Sequence, residues 1–457
     1  MPQETIPGCP LGLPAVNYGP VNDGESPRTR IGIAVHVVLV LDHAHVNGGQ
    51  AKVALDSALG LRERGHAVTV FAAVGPVDPR LGPAGVRVVC LGQDDIASTG
   101  NKLAFAAQAI WNRAAAKRLR AELGRCDPRD TLVHVHAFAK ALSPSIGRPL
   151  RASGLPCLYT MHEFFLVCPT GGFYEYPADA ICHRTPMSRD CIATHCDARS
   201  YPAKLLRVVR HLGLEHLAGL RGLFRHVITI SALQERVIAP YLPGTVFHRV
   251  DNPIAVAQQP FAERAPGDFL FVGRISREKG APIFAEAARR AGVRAVFVGD
   301  GPAAADLRAH YPEATVLGWR DAAGVQAMMR TARALVFPSI WYEGQPLTVY
   351  EALACGCPVI VSDACAGREA VEDGENGFWF RSGDPDALAA HLARLRDDAL
   401  SRRMARAAYD RYWGAPLTVG LHLDRLEQVY GTVMREAPLG VRHRPAPRSG
   451  RTAPAAS

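Results

Sequence analysis

With 457 residues and 48% apolar side chains, the chain is too long for one ordinary hydrophobic core and predicts two domains of roughly 200 residues each, plus tails. The net charge of +9 suggests a polyanion partner until it is located: Arg442, Arg444, Arg448 and Arg451, in the acid-free tail from Pro438 to Ser457, supply nearly half of it. The remainder fits an anionic nucleotide or a membrane surface and makes no case for nucleic acid.

Residues 1–29 are rich in Pro, Gly and Asn and are expected to be a disordered extension; residues 438–457 are expected to be a disordered basic tail. The opening lacks the basic-then-apolar order of a secretory signal, and no run reaches the roughly 20 apolar residues of a membrane span, so a cytoplasmic protein is expected. Eleven scattered cysteines read as reduced thiols rather than a disulfide framework. Between the tails, GIAVHVVLVLD predicts a strand, GGQAKVALDSALGLRERG a helix with its entry turn, and HAVTVFAA a second strand. TLVHVHA, PCLYTMH and HVITIS continue the series. After the Pro-containing segment DNPIAVAQQPF the pattern restarts with FLFVGR, a helix, AVFVGDG, a helix, ATVLGW, a helix, ALVFPS, a helix and PVIVSD. Strand and helix alternating twice over predict an α/β protein of two doubly wound parallel-sheet domains, spanning 30–255 and 256–415, with chemistry in the cleft between them.

Several residue patterns could carry that chemistry. Gly48 and Gly49 open the first helix and let backbone approach a ligand, although glycines there are more often plain tight turns. His134 and His136 alternate onto one face of a strand, and His136, nearer its carboxyl end, could line the acceptor side; His162, followed by Glu163, ends another strand. Cys168, Cys182, Cys191 and Cys196 crowd one stretch and could form a structural zinc site, against the alternative of scattered free thiols. The segment 203–226 interleaves Lys204, Arg207, Arg210, Arg221 and Arg225 with leucines, predicting a surface helix whose leucine stripe packs on the sheet, with membrane-surface attachment as the other reading. In FVGRISREKG, Arg274 and Lys279 stand at a strand end and the next helix start, where guanidinium and ammonium suit phosphate oxygens.

The densest signal is FPSIWYEGQPLTVYEALACGCPVIVSD, residues 337–363. Pro346 is predicted at the first helical position, which puts the free amides around Gln345, Pro346 and Leu347 at a dipole end suited to a diphosphate. Glu343 precedes the helix and Glu351 lies roughly 7 to 8 Å along it at about 1.5 Å per residue. Both carboxylates sit at the carboxyl edge of a parallel sheet, where open α/β folds bind ligands.

This string resembles the glutamate-x7-glutamate segment of the GT-B glycosyltransferases of family 4, and the likeness extends over about residues 31 to 430. The resemblance implies two Rossmann-like domains facing a central cleft, the first binding acceptor and the second a nucleotide sugar (UDP- or GDP-linked), with a last helix near 416–435 returning to the first domain. It implies retaining hexosyl transfer to a carbohydrate or lipid-linked acceptor in polysaccharide or glycolipid assembly. No cofactor or catalytic metal is required in that scheme, and peripheral contact with the inner face of the membrane is compatible with it. Residue by residue, it gives Gly49 the distal phosphate, Arg274 and Lys279 the diphosphate, Glu343 the donor sugar, Glu351 the ribose and His162 the reacting centre. Trp319 and Arg320 become candidates for the base. The alternatives are a nucleotide-sugar epimerase or hydrolase, or a silent nucleotide-sugar-binding partner.

Overall fold

A computed structural model describes residues 34–94, 102–261, 263 and 267–436; the two expected disordered tails lie outside them. In chain order its strands are β1 (His36–His43), β2 (Ala67–Val74), β3 (Arg87–Gln93), β4 (Thr131–Val135), β5 (Cys157–Met161), β6 (Tyr174–Glu175), β7 (Ala180–Ile181), β8 (His226–Thr229) and β9 (Val246–Arg249). The second half contributes β10 (Phe269–Val272), β11 (Ala295–Val298), β12 (Thr315–Val316), β13 (Ala334–Phe337), β14 (Val359–Ser362) and β15 (Gly377–Phe380).

Two parallel sheets result, in the orders β3-β2-β1-β4-β5-β8-β9 and β12-β11-β10-β13-β14-β15. Set aside the small antiparallel β6–β7 hairpin, and each order runs outward from its first strand in both directions. Each sheet therefore has a switch point, between β1 and β4 and between β10 and β13, where neighbouring connections leave to opposite faces and open a crevice. The chain is an α/β protein with two Rossmann-like domains. The near-continuous apolar runs of β1, β10 and β13 are what a sheet covered on both faces needs, and each sheet has a core on either side.

The last helix, Val419–Glu436, lays Leu423, Leu426 and Tyr430 into the core beneath β1 and β2. His422 on that helix bonds Ser57 of helix Gly49–Glu63 at 3.0 Å. The two halves also meet directly. The Glu369 carboxylate accepts the amides of Ala232 and Leu233 at 3.1 and 2.7 Å, at the start of helix Ala232–Ile238, and the Gln345 side chain accepts the Asn252 amide at 2.6 Å.

Glycine is required by geometry at the turn before helix Ala281–Ala291. Gly280 has φ +71°, and a Cβ there would collide with the Pro338 carbonyl where the β10 and β13 loops cross. Gly280→Ala combines left-handed strain with a backbone clash, so we expect a loss of about 2 kcal/mol or more in chemical denaturation. A stability within error of the parent would contradict this packing.

Candidate active site

The loop from β13 to helix Leu347–Ala354 is the centre of the site. Three donors meet on a single oxygen of Glu343. Oε1 receives the Lys279 ammonium, the Ser339 hydroxyl at 3.1 Å and the Trp341 indole N–H at 2.6 Å. The other oxygen, Oε2, has no hydrogen bond from a described residue. Lys279 also lies over the Trp341 ring, 5.3 Å from its centroid, a cation–π contact that helps hold the ammonium in place. The Glu343 carbonyl accepts the Ala366 amide at 3.1 Å, so the loop is tied at its backbone as well. This carboxylate is oriented by its neighbours and keeps one face of lone pairs for a ligand with hydroxyl groups.

The helix starts one residue later than expected. Pro346 has extended ψ (100°) and is the residue before the helix, which begins at Leu347. The extended conformation follows from the buried side chain of Gln345, which is anchored to Asn252 and draws the chain away from a helical turn. Leu347 at the helical tip comes close to the first domain, because a Cβ on Gly49 would stand 3.5 Å from its Cδ1. Lys52, one turn into that domain's helix, faces Glu351; burial raises the Glu351 carboxyl above its usual range and the Lys52 charge opposes the rise. Leu347 beside Gly49 and Glu351 within reach of the Lys52 charge thus put this helix against the first domain, directly after the loop that carries the Glu343–Lys279 pair. Arg274, at the end of β10, is exposed and makes no ion pair with a described residue. Its charge is felt by Tyr176, between β6 and β7, whose hydroxyl burial pushes up to about 12. That hairpin forms a wall: Gly172 packs on the Trp341 ring, and Tyr174 stacks edge-on to it at 6.3 Å.

In the first domain, His162 ends β5 beside His136 at the end of β4, with Nε2 of one 3.2 Å from Nδ1 of the other. His136 is fully buried and does not line the acceptor side, because the strand end turns it inward onto His134. Burial holds His162 neutral, down to about 3, and lowers His134 and His136 well below the usual imidazole range.

Other expectations are corrected. The four cysteines form no metal-ligating group among the described residues. The place among them is taken by Lys204, 1% exposed, whose ammonium bonds the Cys191 carbonyl at 3.0 Å and the Cys196 sulfur at 2.9 Å. The same helix, Tyr201–Leu212, is turned the other way round from its predicted pose. Lys204 and Arg210 point inward, Arg210 to the carbonyls of Ala139 and Pro169 at 2.6 and 2.9 Å, while Leu205, Leu206, Val209 and Leu212 are exposed. Trp319 and Arg320 are exposed beyond β12, with Arg320 donating to the Trp319 carbonyl at 2.9 Å; among the described residues, no hydrogen bond or ion pair joins them to the Glu343 loop.

Four residues of the site escaped the sequence reading. Lys52 carried a signal, a lysine in the first turn after the glycine pair. Ser339 and Trp341 carried none beyond their nearness to Glu343, since their role depends on the loop folding back. Gln50 donates to the His136 carbonyl at 2.6 Å, joining the glycine turn to β4.

Known proteins resemble this chain in sequence and in fold. The family described as "Glycosyl transferase 4-like domain" matches residues 48–216, and "Glycosyl transferases group 1" matches residues 266–398. The chain belongs to the GT-B glycosyltransferases of family 4. An Escherichia coli UDP-Gal:alpha-D-GlcNAc-diphosphoundecaprenol alpha-1,3-galactosyltransferase is 28% identical over 35% of this chain and 44% of its own length. A Salmonella typhimurium lipopolysaccharide 1,6-galactosyltransferase is 30% identical over 37% and 52%, and a Mycobacterium tuberculosis glycogen synthase 32% over 40% and 49%. The chain spans about half the length of these relatives. Among solved structures, Anabaena HepE in complex with UDP and glucose aligns with TM-score 0.60 at 16% identity, covering 87% of this chain and all of that one. The sucrose-phosphate synthase of Thermosynechococcus elongatus aligns with TM-score 0.61 at 19%, covering 88% and 99%; both likenesses concern the fold.

The neutral histidines give this site a pH signature. Their folded-state affinity for protons is depressed, so below about pH 6.5 the unfolded chain takes up protons that the folded chain does not, and stability falls with acidification. The urea midpoint should drop between pH 7.5 and 5.5, and the drop should shrink in His134→Gln. A midpoint that rises on acidification would contradict buried neutral imidazoles.

Proposed function

We propose that the protein transfers a hexosyl group, with retention of anomeric configuration, from a nucleotide-diphospho-sugar to an acceptor hydroxyl in glycan or lipid-linked glycan assembly. The observation that carries this reading is the Glu343 carboxylate, pinned through one oxygen by Lys279, Ser339 and Trp341 with the other oxygen open beside a helix tip. Glu343 would take hydroxyls of the donor sugar on Oε2, Glu351 the ribose, and Arg274 and Lys279 the diphosphate, helped by the tip at Leu347 and the turn at Gly49. His162, a neutral group at the end of β5, would face the reacting sugar from the first domain.

In this scheme the barrier falls mainly because charge developing on the departing diphosphate meets prearranged cations and amides. Closing the two domains around both substrates aligns the acceptor. No side chain near Glu343 is offered as a covalent nucleophile, so the acceptor would enter on the face the diphosphate leaves, its proton passing to a leaving phosphate oxygen. Since side chains meet the leaving charge, no divalent ion is assigned that task. The donor is a UDP- or GDP-sugar, a reading supported by the UDP bound in the fold neighbour and the UDP-Gal named for the Escherichia coli relative.

We also propose peripheral contact with an anionic membrane. The exposed face of Leu205, Leu206, Val209, Leu212 and Leu217 is flanked by Arg148 and Arg151, which reach the carbonyls of Leu217 and Gly219 at 3.5 and 3.0 Å. Leu206→Ser with Val209→Ser should lower co-sedimentation with phosphatidylglycerol vesicles; binding equal to the parent would remove the assignment.

Donor turnover measured with and without sugar and lipid-linked acceptors tests the main reading. Release of nucleotide only with acceptor is expected, and it should persist in EDTA; release without acceptor would make the protein a hydrolase. Lys279→Ala and Glu351→Ala should each lower kcat/KM roughly a hundredfold, and Trp341→Phe about tenfold, through loss of one donor to Glu343. Unchanged kinetics in both alanine variants would reject the site.

A further inference from the structure

We propose that His136 is a positioning residue that fixes the tautomer of His162, so that His162 presents an N–H donor to the crevice and not a base. The catalytic consequence rests on the glycosyl-transfer reading; the tautomer itself does not.

The two ring nitrogens of His136 have different surroundings. The ring is 1% exposed, with Nδ1 3.2 Å from His162 Nε2 and the two rings nearly parallel, at 23° and 5.5 Å between centroids. Its other nitrogen, Nε2, is buried and has no hydrogen-bond partner among the described residues. A proton can sit on only one of the two nitrogens of a neutral imidazole. Placed on Nε2, it would be a buried donor with nothing to meet, an arrangement that folded proteins rarely tolerate; a bare lone pair there is the smaller loss. The proton therefore sits on Nδ1, and His136 donates to His162 Nε2.

That bond settles His162. Its Nε2 accepts, so its single proton is on Nδ1. Burial, unrelieved by a neighbouring carboxylate, keeps the ring from taking a second proton. Nδ1 of His162 has no hydrogen bond to a described residue and does not belong to the buried, unpartnered atoms, so this N–H is open to a ligand. It can donate to an oxygen of a bound sugar or phosphate. It cannot receive the proton of an acceptor hydroxyl, because its only lone pair is already occupied by His136.

The surroundings hold His136 in this pose. His134 lies against it, 4.0 Å between ring centroids, and is itself fixed by Thr160 at 2.6 Å and the Tyr430 hydroxyl at 2.8 Å. Gln50 grips the His136 carbonyl, so the glycine turn and the histidine pair are one assembly.

Long-range nitrogen–proton correlation spectra of the full-length, 15N-histidine-labelled protein read the tautomer directly, with His162→Asn assigning the signal. The Nδ1–H form is expected at His162 in the parent. It should persist in His136→Asn, whose amide keeps a donor near the place of Nδ1, and shift toward Nε2–H in His136→Leu. His136→Leu should also lower kcat about five- to tenfold with donor KM little changed, and His136→Asn should recover most of the loss. An Nε2–H signal for His162 in the parent, or an unaltered tautomer in a folded His136→Leu, overturns the proposal. Should the tautomer respond as expected while no nucleotide sugar is turned over, the assignment of the proton stands and the glycosyl-transfer reading fails.

Discussion

The site depends on one carboxylate oxygen. Glu343 Oε1 gathers an ammonium, a hydroxyl and an indole N–H from two different loops, and each donor is itself held: Lys279 by the turn at Gly280, Ser339 by the neighbouring Ile340 amide, which donates to the Glu278 carbonyl at 3.0 Å, Trp341 by the hairpin wall. Charge-assisted bonds of this kind are about twice as strong as neutral ones, and three on one atom remove the rotational freedom that a carboxylate at a loop tip would otherwise keep. The ordering comes from the protein's own groups, which is what lets a binding group act without reorganising. The β10 and β13 loops are joined through it, and both rise from the switch point of the second sheet.

Across the crevice the first domain offers the opposite character. Its histidines are neutral and stacked, its helix begins with glycines, and Lys52 on that helix is paired with Asp56 at 2.7 Å. Cations and a carboxylate from the second domain facing neutral donors and bare backbone from the first suit a ligand with a strongly anionic half and a hydroxyl-rich half. The last helix, returning to the first domain's core through Leu423, Leu426 and Tyr430, carries the chain between the two bodies a second time. Any opening of the crevice must flex both connections.

Much of this was legible in residues alone. The alternation of apolar runs with helices specified two parallel sheets, because such sheets are covered on both faces and leave few polar interruptions. Arg274 and Glu343 stood out near strand ends, Lys279 at a helix start and Glu351 within the helix that follows Glu343. Strand β9 was missed because VFHR is short and partly exposed at a sheet edge, where apolar periodicity is weak. The helix at Tyr201–Leu212 was read inside out, since the rule that charges face water fails where Arg210 finds two carbonyls and Lys204 finds a carbonyl and a thiol. The crowding of four cysteines suggested a metal for the same reason: nothing in the linear order says that a lysine eight residues beyond Cys196 folds back among the sulfurs. Ser339 and Trp341 are invisible in sequence because their function is created by a loop that returns on itself.

A crystal structure with an intact nucleotide sugar tests the central claim most directly. The account predicts the diphosphate between Arg274, Lys279 and the Leu347 end of the helix, with sugar hydroxyls on Glu343 Oε2 while Ser339 and Trp341 still hold Oε1. A donor seated elsewhere, or a Glu343 side chain that turns away from Ser339 and Trp341 on binding, would contradict it.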